Sequence, residues 1–207
     1  MKRKAWGLLV LAVATVLFGL AIAFRNSFSP WLSNLLTSVI CIGLALFVLR
    51  DGVHDLFTFQ RKSVLFSAGL GIALVVATHI GYQGVLLLWP EFRSVVEGLY
   101  SDIRQTSIPT GGIAAIILVV VAAEELVWRG VAFEFLEGWA SKAGIVVGSA
   151  MLYAVPQLIG GSWLLLCAAL SLGFCCALQR ATSGRLTESF TTHAIWSVGM
   201  FCLVPLH

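Results

Sequence analysis

Residues 119–130 have the sequence VVVAAEELVWRG, in which two adjacent glutamates and one arginine interrupt an apolar run. A charged side chain near the centre of a bilayer costs about 2.5–3.5 kcal/mol on insertion scales. Glu124, Glu125 and Arg129 therefore need a compensating role. We interpret the three residues as a reactive site inside a membrane-spanning helix.

The composition of the whole chain indicates an integral membrane protein. Hydrophobic residues make up 59% of the 207 positions and charged residues 11%, whereas soluble domains have about 25% charged residues. Mean hydropathy is +0.96. The net charge of +3 belongs to short connecting segments, where it bears on membrane topology, and nucleic-acid binding is excluded. We expect one integral membrane domain over residues 1–207.

Seven apolar stretches predict an all-α, polytopic transmembrane bundle of about seven helices, since a span needs about 20 apolar residues. The stretches cover residues 5–24, 30–49, 63–88, 112–135, 143–158, 163–179 and 186–206. The first is interpreted as a retained span and not as a signal peptide, because it is long and no clear cleavage site precedes Arg25. Between spans, residues 50–62 predict a short surface helix and residues 91–110 an amphipathic element.

The distribution of positive charge predicts a cytosolic N-terminus. The predicted cytosolic segments hold nine basic residues: Lys2, Arg3, Lys4, Arg50, Arg61, Lys62, Lys142, Arg180 and Arg185. The opposite side holds three: Arg25, Arg93 and Arg104. We therefore expect a multi-pass protein of a prokaryotic plasma membrane.

Three of the predicted spans carry polar residues at one overlapping depth. At about 1.5 Å of rise per residue, these residues lie roughly 12–22 Å from the cytosolic ends of their helices. Residues four apart share a helix face, and three such pairs occur: Glu125 with Arg129, Tyr153 with Gln157, and His193 with Ser197. Pairing of Glu125 with Arg129 would leave Glu124 as an unpaired carboxylate, which is a candidate general base or acid.

The sequence EELVWRG at residues 124–130 resembles the EExxxR motif of the CAAX protease and bacteriocin-processing family of glutamate-dependent intramembrane proteases. Members of that family also carry an FxxxH motif in a following span and HxxxN or HxxxD in a final span. The order and spacing agree over about residues 110–207. The resemblance implies a membrane-embedded peptidase that uses no metal and no cofactor.

Carried over by position, the resemblance implies a role for each motif residue. Glu124 would be the base that activates water, with Glu125 and Arg129 as its charge support. His193 would bind the oxyanion or handle a proton. Two motifs differ from the family pattern, since Tyr153 and Gln157 replace the phenylalanine and histidine, and Ser197 replaces the final asparagine.

These replacements change what the residues can do chemically. Glutamine cannot take a proton, but Gln157 can orient a water while Glu124 alone does the acid–base work. Ser197 keeps a hydroxyl that can donate to an oxyanion, with a shorter reach than asparagine. His79, with Gln83 one turn on, is the other buried histidine that could supply the missing imidazole.

Several other interpretations compete with a peptidase. EExxxR in a membrane helix can be a structural ion-pair network, and His193 can be an ordinary interhelical hydrogen-bonding residue. Glu124, His193 and His79 could bind zinc, although the chain has no HExxH motif. A transporter would also bury ions, but no inverted repeat is present in the sequence. The five cysteines form no CxxC pair and are expected to be small apolar residues.

We therefore predict an intramembrane glutamate-type endopeptidase that hydrolyses a peptide bond in a membrane-associated protein or peptide, with or without a lipid anchor on that substrate. The expected partners are this substrate and the lipid bilayer, with no nucleic acid, cofactor or metal. The alternative is a catalytically weakened or inactive member of the same family that acts as a membrane scaffold, immunity or binding protein. Gln157 and Ser197 are the residues that favour the alternative.

Overall fold

The computed structural model describes residues 2–25, 27–104, 106–159, 161 and 163–206, and these residues form helices without any strand. The helices in chain order are α1 (Lys2–Ala23), α2 (Pro30–Leu49), α3 (Val53–Leu56), α4 (Arg61–Leu88), α5 (Phe92–Arg104), α6 (Thr110–Glu124), α7 (Ala132–Leu136), α8 (Lys142–Ile159), α9 (Trp163–Ser183) and α10 (Thr187–Val198). Two π-helical segments, Glu125–Val131 and Gly199–Leu203, follow α6 and α10. The prediction of an all-α polytopic bundle is confirmed.

Six of the predicted spans are long and apolar enough to cross a bilayer. The fourth of them, Thr110–Leu136, runs without a break through α6, the first π segment and α7. The seventh predicted stretch forms a shorter helix, since α10 has 12 residues and the π segment after it has 5. This helix packs on α4, α9 and α6 inside the bundle, and several of its buried residues are polar.

The helix ends follow local sequence signals. The Ser29 side chain caps α2 by accepting a hydrogen bond from Leu32 N at 3.5 Å, and Pro30 takes the first helical position, where no N–H is needed. Helix α9 ends before Gly184, which has φ of 74° and lets the chain turn directly into α10. The predicted elements between spans are confirmed as α3 and α5.

The bundle has two ends, which we name the proximal end and the distal end. Successive spans alternate in direction, so α1 begins at the proximal end, where Arg3 is paired with Glu134 at 3.0 Å. At the distal end, α4 ends and α9 begins, and the rings of Trp89 and Trp163 stack with centroids 6.0 Å apart. Helix α5 lies at this distal end, where Tyr100 packs against Phe201.

The main core surrounds the first π segment. Val127, Trp128 and Val131 are completely buried, and they pack in one cluster with the inward faces of α1 and α2. Helix α4 lies at the periphery instead, and its side chains are largely exposed and apolar, as Leu65 and Ile80 illustrate. Such a surface suits contact with lipid. The core therefore holds the fourth span at the centre of the bundle.

Candidate active site

The two adjacent glutamates lie where the fourth span changes from α-helix to π-helix, with Glu124 the last α residue and Glu125 the first π residue. A π turn widens the helix and disturbs the regular carbonyl pairing, which must be compensated in a membrane. Ser149 Oγ donates to the carbonyl of Trp128 at 2.7 Å, and Arg180 Nε donates to the carbonyl of Arg129 at 3.1 Å. Neighbouring helices thus support the unusual backbone at the site.

Glu125 and Arg129 form an ion pair that is almost completely shielded from solvent. Arg129 Nη1 lies 3.2 Å from Glu125 Oε1, and the side chains are 0% and 1% exposed. Arg129 Nη2 donates to the carbonyl of Gly173 at 3.1 Å, and the guanidinium lies 4.5 Å from the centre of the Tyr153 ring. A buried charge pair with such additional partners is costly to break.

The imidazole of His193 lies between the two glutamates. Its Nδ1 is 2.8 Å from Glu125 Oε1, and its Nε2 is 3.4 Å from Glu124 Oε2. An ionised carboxylate can only accept, so pairing with Glu125 places a proton on Nδ1 of His193. In the neutral imidazole, the lone pair of Nε2 then faces Glu124.

Helix α8 brings Tyr153 and Gln157 to the same place. The Tyr153 hydroxyl lies 3.4 Å from both Glu124 Oε2 and His193 Nε2. The Oε1 atom of Gln157 is buried and has no hydrogen-bond partner among the described residues. A buried acceptor of this kind calls for a donor from outside the bundle, such as water or a peptide N–H.

A cavity of about 190 Å³ gives access to these residues. Its polar lining includes Glu124, Tyr153, Gln157, His193 and Ser197, while most of the remaining wall is apolar. Glu125 and Arg129 do not line it. The two glutamates therefore differ, because Glu124 is 14% exposed and faces the cavity, whereas Glu125 is 1% exposed and faces Arg129.

The structure brings all seven predicted site residues into one cluster, but it does not bring His79 there. His79 does not line the cavity, and its Nδ1 lies 3.0 Å from the carbonyl of Val75 in its own helix. The supporting contacts made by Ser149, Gly173 and Arg180 were not predicted from the sequence. The sequence indicates these contacts only weakly, since a small residue or an arginine near a helix end can have many other roles.

The described residues also contain a possible set of metal ligands. Ligand atoms of Glu125, Cys176 and His193 lie within 4.8 Å of one another. The guanidinium of Arg129, 3.2 Å from Glu125 Oε1, already occupies the charge-neutralising position. A divalent cation would be repelled by that arginine, so these residues fit a metal poorly. The set differs from the one considered from the sequence, which contained Glu124 and His79.

Residues 106–199 match the model of a family described as type II CAAX prenyl endopeptidase Rce1-like. This segment belongs to the CAAX protease family. The match includes every motif residue from Glu124 to Ser197, which confirms the resemblance drawn from EELVWRG. A search of curated proteins and a search of solved structures gave no match. The match supports a CAAX-type protease with a peptide or protein substrate at the level of the family, and the six apolar helices indicate an integral, multi-pass membrane protein.

Proposed function

We propose that this protein is a CAAX-type protease of the glutamate type, an endopeptidase that hydrolyses a peptide bond in a membrane-associated protein or peptide. The observation that carries the proposal is the placement of Glu124, which lines the cavity while its Oε2 lies 3.4 Å from His193 Nε2. A general base must reach the proton that it removes. Glu124 meets that requirement because it lines the cavity. Glu125 does not line the cavity and is held by Arg129 and His193.

In the proposed reaction, Glu124 accepts a proton from a water molecule whose oxygen attacks the carbonyl carbon of the scissile peptide bond. The C–N bond of the tetrahedral intermediate then breaks, and the proton passes from Glu124 to the leaving amine. The reaction needs neither a covalent enzyme intermediate nor a cofactor. Water and peptide are its only reactants.

His193 assists Glu124 in this scheme. Since Nδ1 donates to Glu125, the free lone pair of Nε2 can accept a hydrogen bond from the attacking water and fix its direction. Arg129 holds Glu125 in place, so the ion pair acts on the reaction through the orientation of His193. Glu125 and Arg129 are therefore positioning residues.

The oxyanion of the intermediate would be bound by neutral donors. The Tyr153 hydroxyl, the Gln157 amide and the Ser197 hydroxyl all line the cavity near Glu124. Preorganised donors of this type stabilise developing negative charge in a water-poor site. They take the place of the histidine and asparagine in the family motifs.

The proposal is tested by Glu124→Gln, which keeps the shape of the side chain and removes the base. Substrates are first identified as proteins that remain unprocessed when the chain is deleted from cells. We expect Glu124→Gln to lose about 10²–10⁴-fold in cleavage rate, the usual contribution of acid–base catalysis. The exposed Glu91→Gln is the matched control and should cleave at the parental rate. The proposal is wrong if purified Glu124→Gln cleaves as fast as the parent.

The distribution of basic residues supports a further part of the proposal, a prokaryotic plasma membrane with the N-terminus in the cytosol. The proximal end carries nine Lys and Arg residues and the distal end three. This bias sets the orientation of multi-pass proteins. The proximal end would then face the cytosol.

A further inference from the structure

A second opening, which we name the proximal crevice, lies at the proximal end of the bundle. Helices α4 and α9 both pack on α10 there, where α4 and α10 begin and α9 ends. The crevice has a volume of about 570 Å³, and its lining includes Ser63 from α4, Thr182 from α9 and Glu188 from α10. Glu124 and His193 do not line it. The proximal crevice is therefore separate from the cavity of the candidate active site.

Two buried acceptor atoms in the lining of this crevice have no donor. Glu188 is 3% exposed, and its Oε1 accepts from Arg185 Nε at 2.8 Å, but its Oε2 has no partner among the described residues. Gln179 donates through Nε2 to the hydroxyls of Ser67 and Thr192 at 3.0 and 2.9 Å, and its Oε1 is likewise unpaired within that part of the chain. Because a buried acceptor without a donor is costly, the crevice calls for a ligand with N–H groups.

The same crevice also offers cationic donors. Lys62 is exposed and lines the crevice, and it makes no hydrogen bond or ion pair with any residue that the structure describes. Arg185 is held by Glu188, which raises the pKa of Arg185, and its Nη2 donates to Gln60 and Ser63. Lysine and arginine side chains of this kind bind phosphate oxygens. The ligand should therefore carry a phosphate as well as a donor group.

An apolar surface that suits lipid begins at the crevice. Phe66 lies one turn after Lys62 on the same face of α4, lines the crevice and is 71% exposed. Its neighbour Leu65 is 62% exposed. The charged groups lie at the start of a membrane-spanning helix, where the headgroups of a bilayer are found, and Phe66 lies deeper, towards the acyl chains. A lipid can use both parts of this surface, whereas a water-soluble ligand can use only the first.

We propose that the proximal crevice binds a phospholipid whose headgroup combines a phosphate with a primary ammonium group, as in phosphatidylethanolamine. The phosphate pairs with Lys62 and Arg185, and the ammonium group donates to Glu188 Oε2 and Gln179 Oε1. The acyl chains lie along Phe66. A phosphate alone would leave both acceptors unpaired, and an amine alone would leave Lys62 unpaired. The site lies at one membrane surface, whichever side of the membrane the proximal end faces, and it takes no part in peptide hydrolysis.

A comparison of lipids tests this site in the parent protein. Delipidated protein in detergent is titrated with phosphatidylethanolamine, phosphatidylcholine and phosphatidylglycerol that have identical acyl chains, and native mass spectrometry counts the bound lipid. Phosphatidylcholine has the same phosphate, but its trimethylammonium group has no N–H. We expect phosphatidylethanolamine to bind about tenfold more tightly than either of the others, the usual effect of a hydrogen bond to a charged group. Equal binding of the three lipids would overturn the proposal.

A matched pair of cation substitutions locates the bound phosphate. Lys62→Gln should weaken the binding of phosphatidylethanolamine and phosphatidylcholine alike. Arg61→Gln is the control, because Arg61 is the adjacent exposed cation and does not line the crevice, and it should bind both lipids as the parent does. If Arg61→Gln weakens binding as much as Lys62→Gln, the lipid responds to surface charge in general and the proposed site is wrong.

Glu188→Gln tests the contact with the ammonium group. It should remove the preference for phosphatidylethanolamine over phosphatidylcholine, and a preference that persists in the folded variant would contradict the assigned contact. Each variant must elute from a sizing column as the parent does, and the comparison of lipids in the parent decides the question if Glu188→Gln does not fold. Soluble O-phosphoethanolamine, which lacks acyl chains, should not displace the bound lipid. Displacement at an equal concentration would assign the crevice to a soluble ligand and overturn the proposal.

Discussion

Nδ1 of His193 lies 2.8 Å from Oε1 of Glu125, and this contact separates the roles of the two adjacent glutamates. Glu125 is shared between His193 and Arg129, whereas Glu124 faces the cavity. Adjacent residues on a regular helix point about 100° apart. The imidazole of His193 contacts both carboxylates at the point where the fourth span changes from α-helix to π-helix.

Substitution of Arg129 alone should destabilise the fold more than removal of both charges of the buried pair. Arg129→Met leaves the Glu125 carboxylate buried without its cation, which costs about 3–5 kcal/mol in known cases. The double variant Glu125→Gln with Arg129→Met removes both charges and should recover part of that loss. Thermal unfolding in detergent measures both effects. If Arg129→Met melts at the parental temperature, the pair does not stabilise the fold.

Gly173→Ala tests the contact that holds Tyr153 in place. A Cβ at position 173 would lie 2.8 Å from Cδ1 of Tyr153 and 3.6 Å from the backbone of Ala150. The Tyr153 ring must therefore move from its place beside Arg129 and Glu124, and overpacking of this kind costs about 1–3 kcal/mol. We expect lower cleavage together with a lower unfolding temperature.

Gly69→Ala is the matched control for that substitution. Gly69 is exposed in the middle of α4, and an added Cβ meets open space. A helical Gly→Ala change at such a position stabilises by about 0.5–1 kcal/mol. Gly69→Ala should therefore cleave at the parental rate. If Gly173→Ala also cleaves at the parental rate, the position of Tyr153 does not matter for cleavage.

The spans and the grouping of polar residues could be predicted because both follow from periodicity and depth. Apolar length gives the spans, and offsets along the helices placed Glu124, Tyr153 and His193 at one level. The structure then puts the Tyr153 hydroxyl 3.4 Å from both Glu124 and His193. Neither the positions of the spans nor the shared depth of these polar residues depends on the details of side-chain packing.

The π-helical segment could not be predicted in the same way. Its carbonyls are satisfied by Ser149 and Arg180, which come from two other helices. Such a change in backbone pairing is decided by tertiary contacts and not by the sequence of the segment itself. The approach of Cys176 to Glu125 and His193 was missed for the same reason, since it depends on how α9 packs.

The replaced motif residues allow a test between a weakened protease and an inactive scaffold. Gln157→His with Ser197→Asn restores the groups found in the family motifs and gives the site a second base. General acid–base groups contribute about 10²–10⁴-fold, so we expect a gain of roughly tenfold or more in the cleavage rate. Gln83→His, an exposed Gln→His change in α4 away from the cavity, should produce no gain. If the double variant Gln157→His with Ser197→Asn never yields product, the result favours the inactive scaffold.

Metal removal distinguishes the glutamate mechanism from a zinc mechanism. Glu125, Cys176 and His193 are close enough to bind an ion, but Arg129 lies 3.2 Å from the same Glu125 oxygen and opposes a second positive charge. We therefore expect cleavage to survive a strong chelator and reagents that block serine or cysteine, and Cys176→Ala to cleave as the parent does. Elemental analysis of both proteins should detect no stoichiometric zinc. Inactivation by chelator that is reversed by zinc would make Glu125, Cys176 and His193 metal ligands and would overturn the proposal that Glu124 alone activates water.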